Sequence, residues 1–317
     1  MGEIVKEIVQ MNKRVSGFLL ISGLVLFSLI SSVACVQATE LKVVTTFSIL
    51  EDFVRQIGGD RVEVSSLIPS GADPHSWEPT PREARLVAQA DLLVANGGGF
   101  DQWLVKLQKS AARPGVPVVY ASDGLVAMAH GHATDHDHDH DSEQHTGDPH
   151  FWLSVPNAIS YVERITEALV ASAPDDSPYF LARSQAYCEE LAQLDQKIMA
   201  RLQQIPEENR VIVTYHNAFS YLAERYGFAV VEFLVDNPEA EPSPRDLGRL
   251  VQLLKQQPNP VIFAEPQLNI SNRYVQTLAT EIRGKVYVLY SDSLSSTITT
   301  YVELMDHNAK TLVEALQ

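Results

Sequence analysis

The string Asp73-Pro74-His75-Ser76-Trp77 recurs as Asp148-Pro149-His150-Phe151-Trp152, so a D-P-H-x-W pattern occurs twice in one chain of 317 residues. Just before the second copy lies a tract carrying His130, His132, His136, His138, His140 and His145, interleaved with Asp135, Asp137, Asp139, Asp141 and Glu143 and free of Lys and Arg. Imidazole and carboxylate are the side chains that ligate divalent metal ions, and histidine at every second position of an acidic tract suits loose, exchangeable zinc capture. A solvated acidic loop that tolerates histidine is the competing reading. Within each D-P-H, proline fixes its own φ and pushes the aspartate before it toward extended geometry, which presents the histidine from a stiff loop. The two copies are read as halves of one metal site, with the tract as its antechamber. Asp73 and Asp148 are placed to accept hydrogen bonds from the ligand imidazoles and fix their tautomers. Trp77 and Trp152 would wall the site or simply pack in the core.

Elements that position these loops can be read from periodicity. LKVVTTF, VEVSSLI, ADLLVANG and VPVVYASD read as buried strands, separated by helices. Ser48-Ile-Leu-Glu51 reads as a capping box opening a helix to about Ile57, and Thr80-Pro81-Arg-Glu83 opens another to about Ala90. FDQWLVKLQKSA is a third helix. Alternating strands and helices make βαβ units and a mostly parallel sheet, with ligands expected in loops at the carboxyl ends of strands. Beyond His150 a helix spans about Pro156 to Ala171 and a longer one about Ser177 to Ile205. The longer helix carries a stripe of Tyr187, Leu191, Leu194, Ile198, Leu202 and Ile205 at helical spacing.

The chain then repeats its plan. VIVTYHNAFSYLAERYGFAVVEFLV follows VVTTFSILEDFVRQIGGDRVEVSSLI in order of elements, PVIFAEPQ parallels DLLVANGG, and KVYVLYSDSL parallels VPVVYASDGL. The fold class expected is α/β, with two βα lobes of mostly parallel sheets joined by a long rigid helix and a cleft between them. The boundaries expected are 1–38 for a leader, 41–175 for the first lobe with its His/Asp-rich loop 130–147, 176–205 for the linker helix and 206–317 for the second lobe. His75 and His150 from the first lobe and His216 and Asp292 from the second fall at strand ends facing that cleft. Three neutral imidazoles and one carboxylate suit tetrahedral Zn²⁺, whereas Mn²⁺ favours more oxygen. Against this, a lone His216 has the ordinary reading of a structural histidine, and Asp292 that of a turn or cap residue. Asp123, at the corresponding place in the first lobe, shows that a strand-end aspartate can arise from the duplication without binding metal. His307 is expected on the surface of the final helix.

A formal net charge of -16 argues against nucleic acid, which needs clustered Lys and Arg, and favours a cationic partner. Lys13 and Arg14 precede an uncharged run from Phe18 to Ala34, the pattern of an export signal. Two processing readings compete: cleavage after Val36-Gln37-Ala38, or a lipobox Ser32-Val33-Ala34-Cys35 that leaves a lipid on Cys35. An uncleaved anchor is the third. All three place the remainder outside the cytoplasmic membrane. With Cys188 as the other cysteine, no disulfide framework is expected, and Cys188 reads as a small buried hydrophobe.

From Leu41 to the C-terminus the chain resembles the zinc and manganese solute-binding proteins of bacterial ABC importers, the cluster A-I or zinc-uptake family. The resemblance rests on DPHSWEPTP, DPHFWLS, TYHNAFSYLAERYG, FAEPQ and YSDSLSS, with the His-rich insert before the second D-P-H. It implies one metal between two lobes, ligated by His75, His150, His216 and Asp292 and delivered to a membrane permease. Manganese-type members tend to carry glutamate where this chain has His216, so the histidine points to zinc as the carried ion. A cysteine pair of some zinc-type members is absent. The expectation is therefore a monomeric, non-enzymatic zinc receptor. A manganese or iron receptor is the rival within the class, and a zinc-dependent hydrolase the rival outside it.

Overall fold

The computed structural model describes Gly2 and residues 40–75, 77–129, 147–235, 241–257, 260–267 and 273–317. The leader's processing sites, Cys35 and the tract from His130 to His145 lie outside the described residues. The first lobe runs β1 (Leu41–Thr45), α1 (Ser48–Gly58), β2 (Val62–Ser66), α2 (Pro81–Gln89), β3 (Leu92–Ala95), α3 (Trp103–Ala111) and β4 (Val118–Tyr120). Next come α4 (Val155–Ser172) and the long α5 (Ser177–Leu202). The second lobe holds β5 (Val211–His216), α6 (Ser220–Tyr226), β6 (Ala229–Val235), α7 (Pro244–Lys255), β7 (Val261–Ala264), α8 (Arg273–Ile282) and β8 (Lys285–Val288). The chain closes with α9 (Tyr301–Leu316).

Each lobe has a four-stranded parallel sheet, ordered β2-β1-β3-β4 in the first and β6-β5-β7-β8 in the second. The identical order is the structural form of the repeat seen in the sequence. The direction of the strand order reverses between β1 and β3, and again between β5 and β7. A crevice therefore forms beyond the carboxyl ends of these strands, where a doubly wound sheet takes its ligand. Strands β3 and β7 are buried along their whole length, as expected of a parallel sheet covered by helices on both faces.

Two apolar layers are private to the lobes. One surrounds Val44, Leu93, Val87 and Leu104 under α2 and α3; the other surrounds Val213, Ile262, Leu250 and Leu278 under α7 and α8. The inner faces share a third. It runs without interruption from Phe53 and Trp152 through Tyr161, Leu191 and Ile198 to Phe263, Tyr301 and Leu312. Helix α5, 26 residues and about 39 Å long by its rise, is the spine of this shared core. Five residues of the predicted stripe lie on it and are buried, the sixth, Ile205, is buried just past its end at Leu202, and Pro178 sits in its first turn, where a missing N–H costs nothing. Asp195 of α5 takes Arg225 Nε at 3.1 Å, a second bond from the same guanidinium, and the Tyr226 hydroxyl at 3.0 Å. Helix α9 returns across both lobes: its Tyr301 N–H donates to Asp52 Oδ2 of α1 at 2.8 Å.

Three local expectations are corrected. Ser48 does not cap α1, whose N-cap is Phe47 with no side-chain bond. The Ser48 hydroxyl instead accepts from Leu294 N at 2.9 Å and meets Ser293 Oγ at 3.4 Å, joining the lobes. His307 is half-buried, with Nε2 3.2 Å from the Val288 carbonyl and its ring on Tyr290. Cys188 is likewise half-buried and free. The Thr80 box is present as expected, with Glu83 accepting from Thr80 N at 2.9 Å. Among the described residues no helix is long and apolar enough to cross a membrane.

Candidate metal centre

Four strand-end loops deliver four side chains to one point. His75 comes from the loop after β2, His150 from the segment before α4, His216 ends β5, and Asp292 follows β8. One donor atom from each lies within 4.8 Å of the other three. His150 Nε2 is 3.4 Å from His75 Nε2 and 3.5 Å from His216 Nε2. Asp292 sets Oδ2 at 3.5 Å from His75 and 3.4 Å from His216, and Oδ1 at 3.5 Å from His150. His150, His216 and Asp292 are buried, while the His75 side chain is 16% exposed, so solvent reaches the cluster beside His75.

What surrounds the ligands decides how they can act. Asp148 Oδ1 lies 2.7 Å from His150 Nδ1, leaving Nε2 to face the cluster. Asp73 does something else: it accepts from the His75 backbone N–H at 3.0 Å and stiffens the loop rather than the ring. The expected tautomer role is therefore met at Asp148 and not at Asp73. His216 has a partner that sequence reading missed, since Glu265 Oε1 lies 2.6 Å from its Nδ1. Glu265 is the first residue past β7, in repeat register with Asn96 past β3. That register was the available signal. Asn96 holds the second D-P-H by donating to the Pro149 carbonyl at 3.0 Å, and its Oδ1 accepts from the Tyr161 hydroxyl.

A second residue missed in the sequence is Phe100. Its ring centroid is 5.1 Å from that of His75, 5.9 Å from His150 and 5.1 Å from Trp152. The aromatic wall is thus Phe100 with Trp152, whose Nε1 donates to the Ser291 carbonyl at 2.8 Å; Trp77 packs against the shared core. Phe100 is aimed by Asp101, which takes Asn96 N at 2.6 Å, Gly97 N at 3.1 Å and the Thr46 hydroxyl at 2.8 Å. The backbone turns here through Gly97, Gly98 and Gly99, all at positive φ, which glycine adopts without strain. Asp123, the repeat counterpart of Asp292, is exposed and pairs with Arg164 at 3.5 Å.

Charge at the centre is arranged for a cation. Burial opposes protonation of His216, but the Glu265 and Asp292 carboxylates outweigh it and raise the ring to about 9. Burial likewise opposes ionisation of Asp292, yet His216, His150 and the His75 hydrogen bond hold it well below the usual carboxylate range. Asp292 Oδ1 is buried with no hydrogen-bond partner among the described residues. An anionic oxygen left unpaired in the interior, with imidazole nitrogens 3.4–3.5 Å from its carboxylate, calls for a positive ion.

Two parallel-sheet lobes with a ligand quartet at their facing strand ends define a metal-binding solute receptor. Residues 43–315 match the family described as zinc-uptake complex component A, periplasmic, and the chain belongs to this family of substrate-binding components of ABC transporters. It is 34% identical to the manganese-binding lipoprotein MntA of Halalkalibacterium halodurans, over 87% of this chain and 88% of the relative. Identity is also 34% to the high-affinity zinc uptake system protein ZnuA of Bacillus subtilis, over 88% of this chain and 89% of that protein. The Mn-bound periplasmic metal binding protein from candidatus liberibacter asiaticus superposes with a TM-score of 0.74 at 26% identity, covering 88% of this chain and all of that one.

Proposed function

We propose that the protein captures one Zn²⁺ ion outside the cytoplasmic membrane, through His75, His150, His216 and Asp292, and hands it to a membrane permease. Ligand spacing carries this reading. Donor separations of 3.4–3.5 Å, two between imidazoles and three from an imidazole to one or other oxygen of Asp292, match the edge of a tetrahedron whose centre lies about 2.1 Å from each corner, the length of a zinc–imidazole bond. Three nitrogens to one oxygen also favour zinc over manganese. The relatives do not choose between these ions, since manganese- and zinc-named proteins are equally similar.

Manganese or iron is the second reading, and one observation favours it: both oxygens of Asp292 face the cluster, so the carboxylate can supply a fifth donor. Metal content after purification, followed by competition between Zn²⁺ and Mn²⁺, decides between them. One zinc retained against excess manganese supports the proposal; displacement by manganese refutes the choice of ion.

We read the site as a carrier rather than a hydrolase, because Asp292 takes the position that a catalytic zinc leaves to water. Ester turnover abolished by chelator would overturn this. The tract from His130 to His145 is assigned to accessory capture, and the leader to export, with Cys35 as the lipid attachment point if the lipobox is used. The protein is taken to act as a monomer. Release must work against the Asp195–Arg225, Asp52–Tyr301 and Ser48–Leu294 ties between elements, so small loop shifts beside the exposed His75 are favoured over wide opening of the lobes.

A further inference from the structure

Gln267 belongs to the turn just after β7 and touches the metal centre through one atom. Its Nε2 donates to Asp292 Oδ2 at 3.2 Å, to Glu265 Oε2 at 3.1 Å and to Ser291 Oγ at 3.2 Å. The amide orientation follows from the neighbours: two of the three are carboxylate oxygens, which only accept, so the nitrogen must face them. Gln267 Oε1 is buried with no partner among the described residues, as is Asp292 Oδ1. The two oxygens of Asp292 are therefore unequal. Oδ2 is held by a hydrogen bond and Oδ1 is free.

Resting on the reading of this cluster as a metal site, we propose that Gln267 is a specificity-determining residue that restricts Asp292 to one metal bond. Both oxygens face the cluster, but a carboxylate oxygen engaged by an amide N–H is a weaker donor, so the bond from Gln267 to Oδ2 biases the metal toward the free Oδ1. The amide is itself fixed by Glu265 and Ser291. Ser291 Oγ also donates to Glu265 Oε2, and Glu265 orients His216, so a single network sets the ring of one ligand and the denticity of another. A one-oxygen carboxylate with three imidazoles gives four-coordination, which zinc accepts readily; two oxygens give five, which suits manganese and iron. Gln267 thus resolves the ambiguity that Asp292 alone leaves open.

The test is Gln267→Met, which keeps length and removes the donor, beside Gln267→Ala. Co²⁺ replaces the cargo as a spectroscopic probe, because four-coordinate Co²⁺ absorbs far more strongly in the visible than five- or six-coordinate Co²⁺. The unmodified protein is expected to give the intense four-coordinate spectrum. Both variants are expected to lose intensity and to lower the zinc-to-manganese affinity ratio by about tenfold or more, the usual scale for residues that orient ligands. Unchanged spectra and ratio in variants that melt like the parent overturn the proposal, as does a parent spectrum already of higher coordination. A parent that binds no metal stoichiometrically refutes instead the site reading on which the proposal rests.

Discussion

Glu265 Oε1 sits 2.6 Å from Nδ1 of His216, and both side chains are fully buried. The pair spans two adjacent strands, β5 and β7, and places a full negative charge behind an imidazole whose other nitrogen faces the ligand cluster. Glu265→Gln keeps the shape and removes the charge. Metal affinity should fall about 10- to 100-fold by competition titration, and the His216 ring should titrate well below 9 by NMR.

Proton competition follows from the same pair. His216 is raised to about 9, so near neutral pH the metal-free site carries a proton on this ring that a metal ion must displace. Binding should release about one proton at pH 7.5, and affinity should fall about tenfold for each unit of pH lowered below 9. The metal-free protein should show the opposite trend in stability. A ring raised from 6.5 to about 9 stabilises the fold fully below 6.5, and that contribution is lost as pH rises through 9. Proton release on a pH-stat and thermal melts with and without chelator check both signs.

His216→Ala removes one of four donors from a buried site and should abolish stoichiometric metal retention while leaving the fold intact. Deleting residues 130 to 146 should leave one tight ion per chain. Loss of that ion in the deletion variant would transfer the primary site to the tract.

Because the inner faces of both sheets share one core along α5, the two lobes should unfold together. Calorimetry of the metal-free protein should show one transition, and Leu191→Ala, at a fully buried position, should lower stability by about 2–5 kcal/mol without splitting it. Two separate transitions would contradict the shared core.

Arg225→Ala should cost about 1–2 kcal/mol, the value of charged hydrogen bonds discounted for the partial exposure of the guanidinium. Asp195 would keep only the Tyr226 hydroxyl of its second-lobe contacts. Metal affinity should hardly change, but release to the permease should quicken if this tie restrains lobe movement.

Much of this protein can be read before it is folded. The duplicated D-P-H marks His75 and His150 because a stiff proline loop needs no tertiary partner to present its histidine. Strand-end position marks His216 and Asp292 because parallel sheets bring the carboxyl ends of all their strands to one edge. The α5 stripe and the matching sheet orders are periodic patterns, which residue spacing encodes directly. Ser48 shows where this stops. Its spacing from Glu51 satisfies a capping box, yet its hydroxyl is used 246 positions away, where packing of the two lobes brings the Leu294 N–H to it as a donor in place of the helix end.

The same limit explains Glu265, Gln267 and Phe100. Each lies just beyond a strand, as many unremarkable residues do, and nothing in local pattern says which neighbour it will meet. Residue types and their order determine that there are two βα lobes, a helical spine and four candidate ligands. Only the tertiary packing of strand-end segments within each lobe decides that one carboxylate charges His216, that one amide holds Oδ2 of Asp292, and that an aromatic wall closes on the first two histidines. Those contacts join segments far apart in the chain, and their energies exist only once the shared core has set the distances.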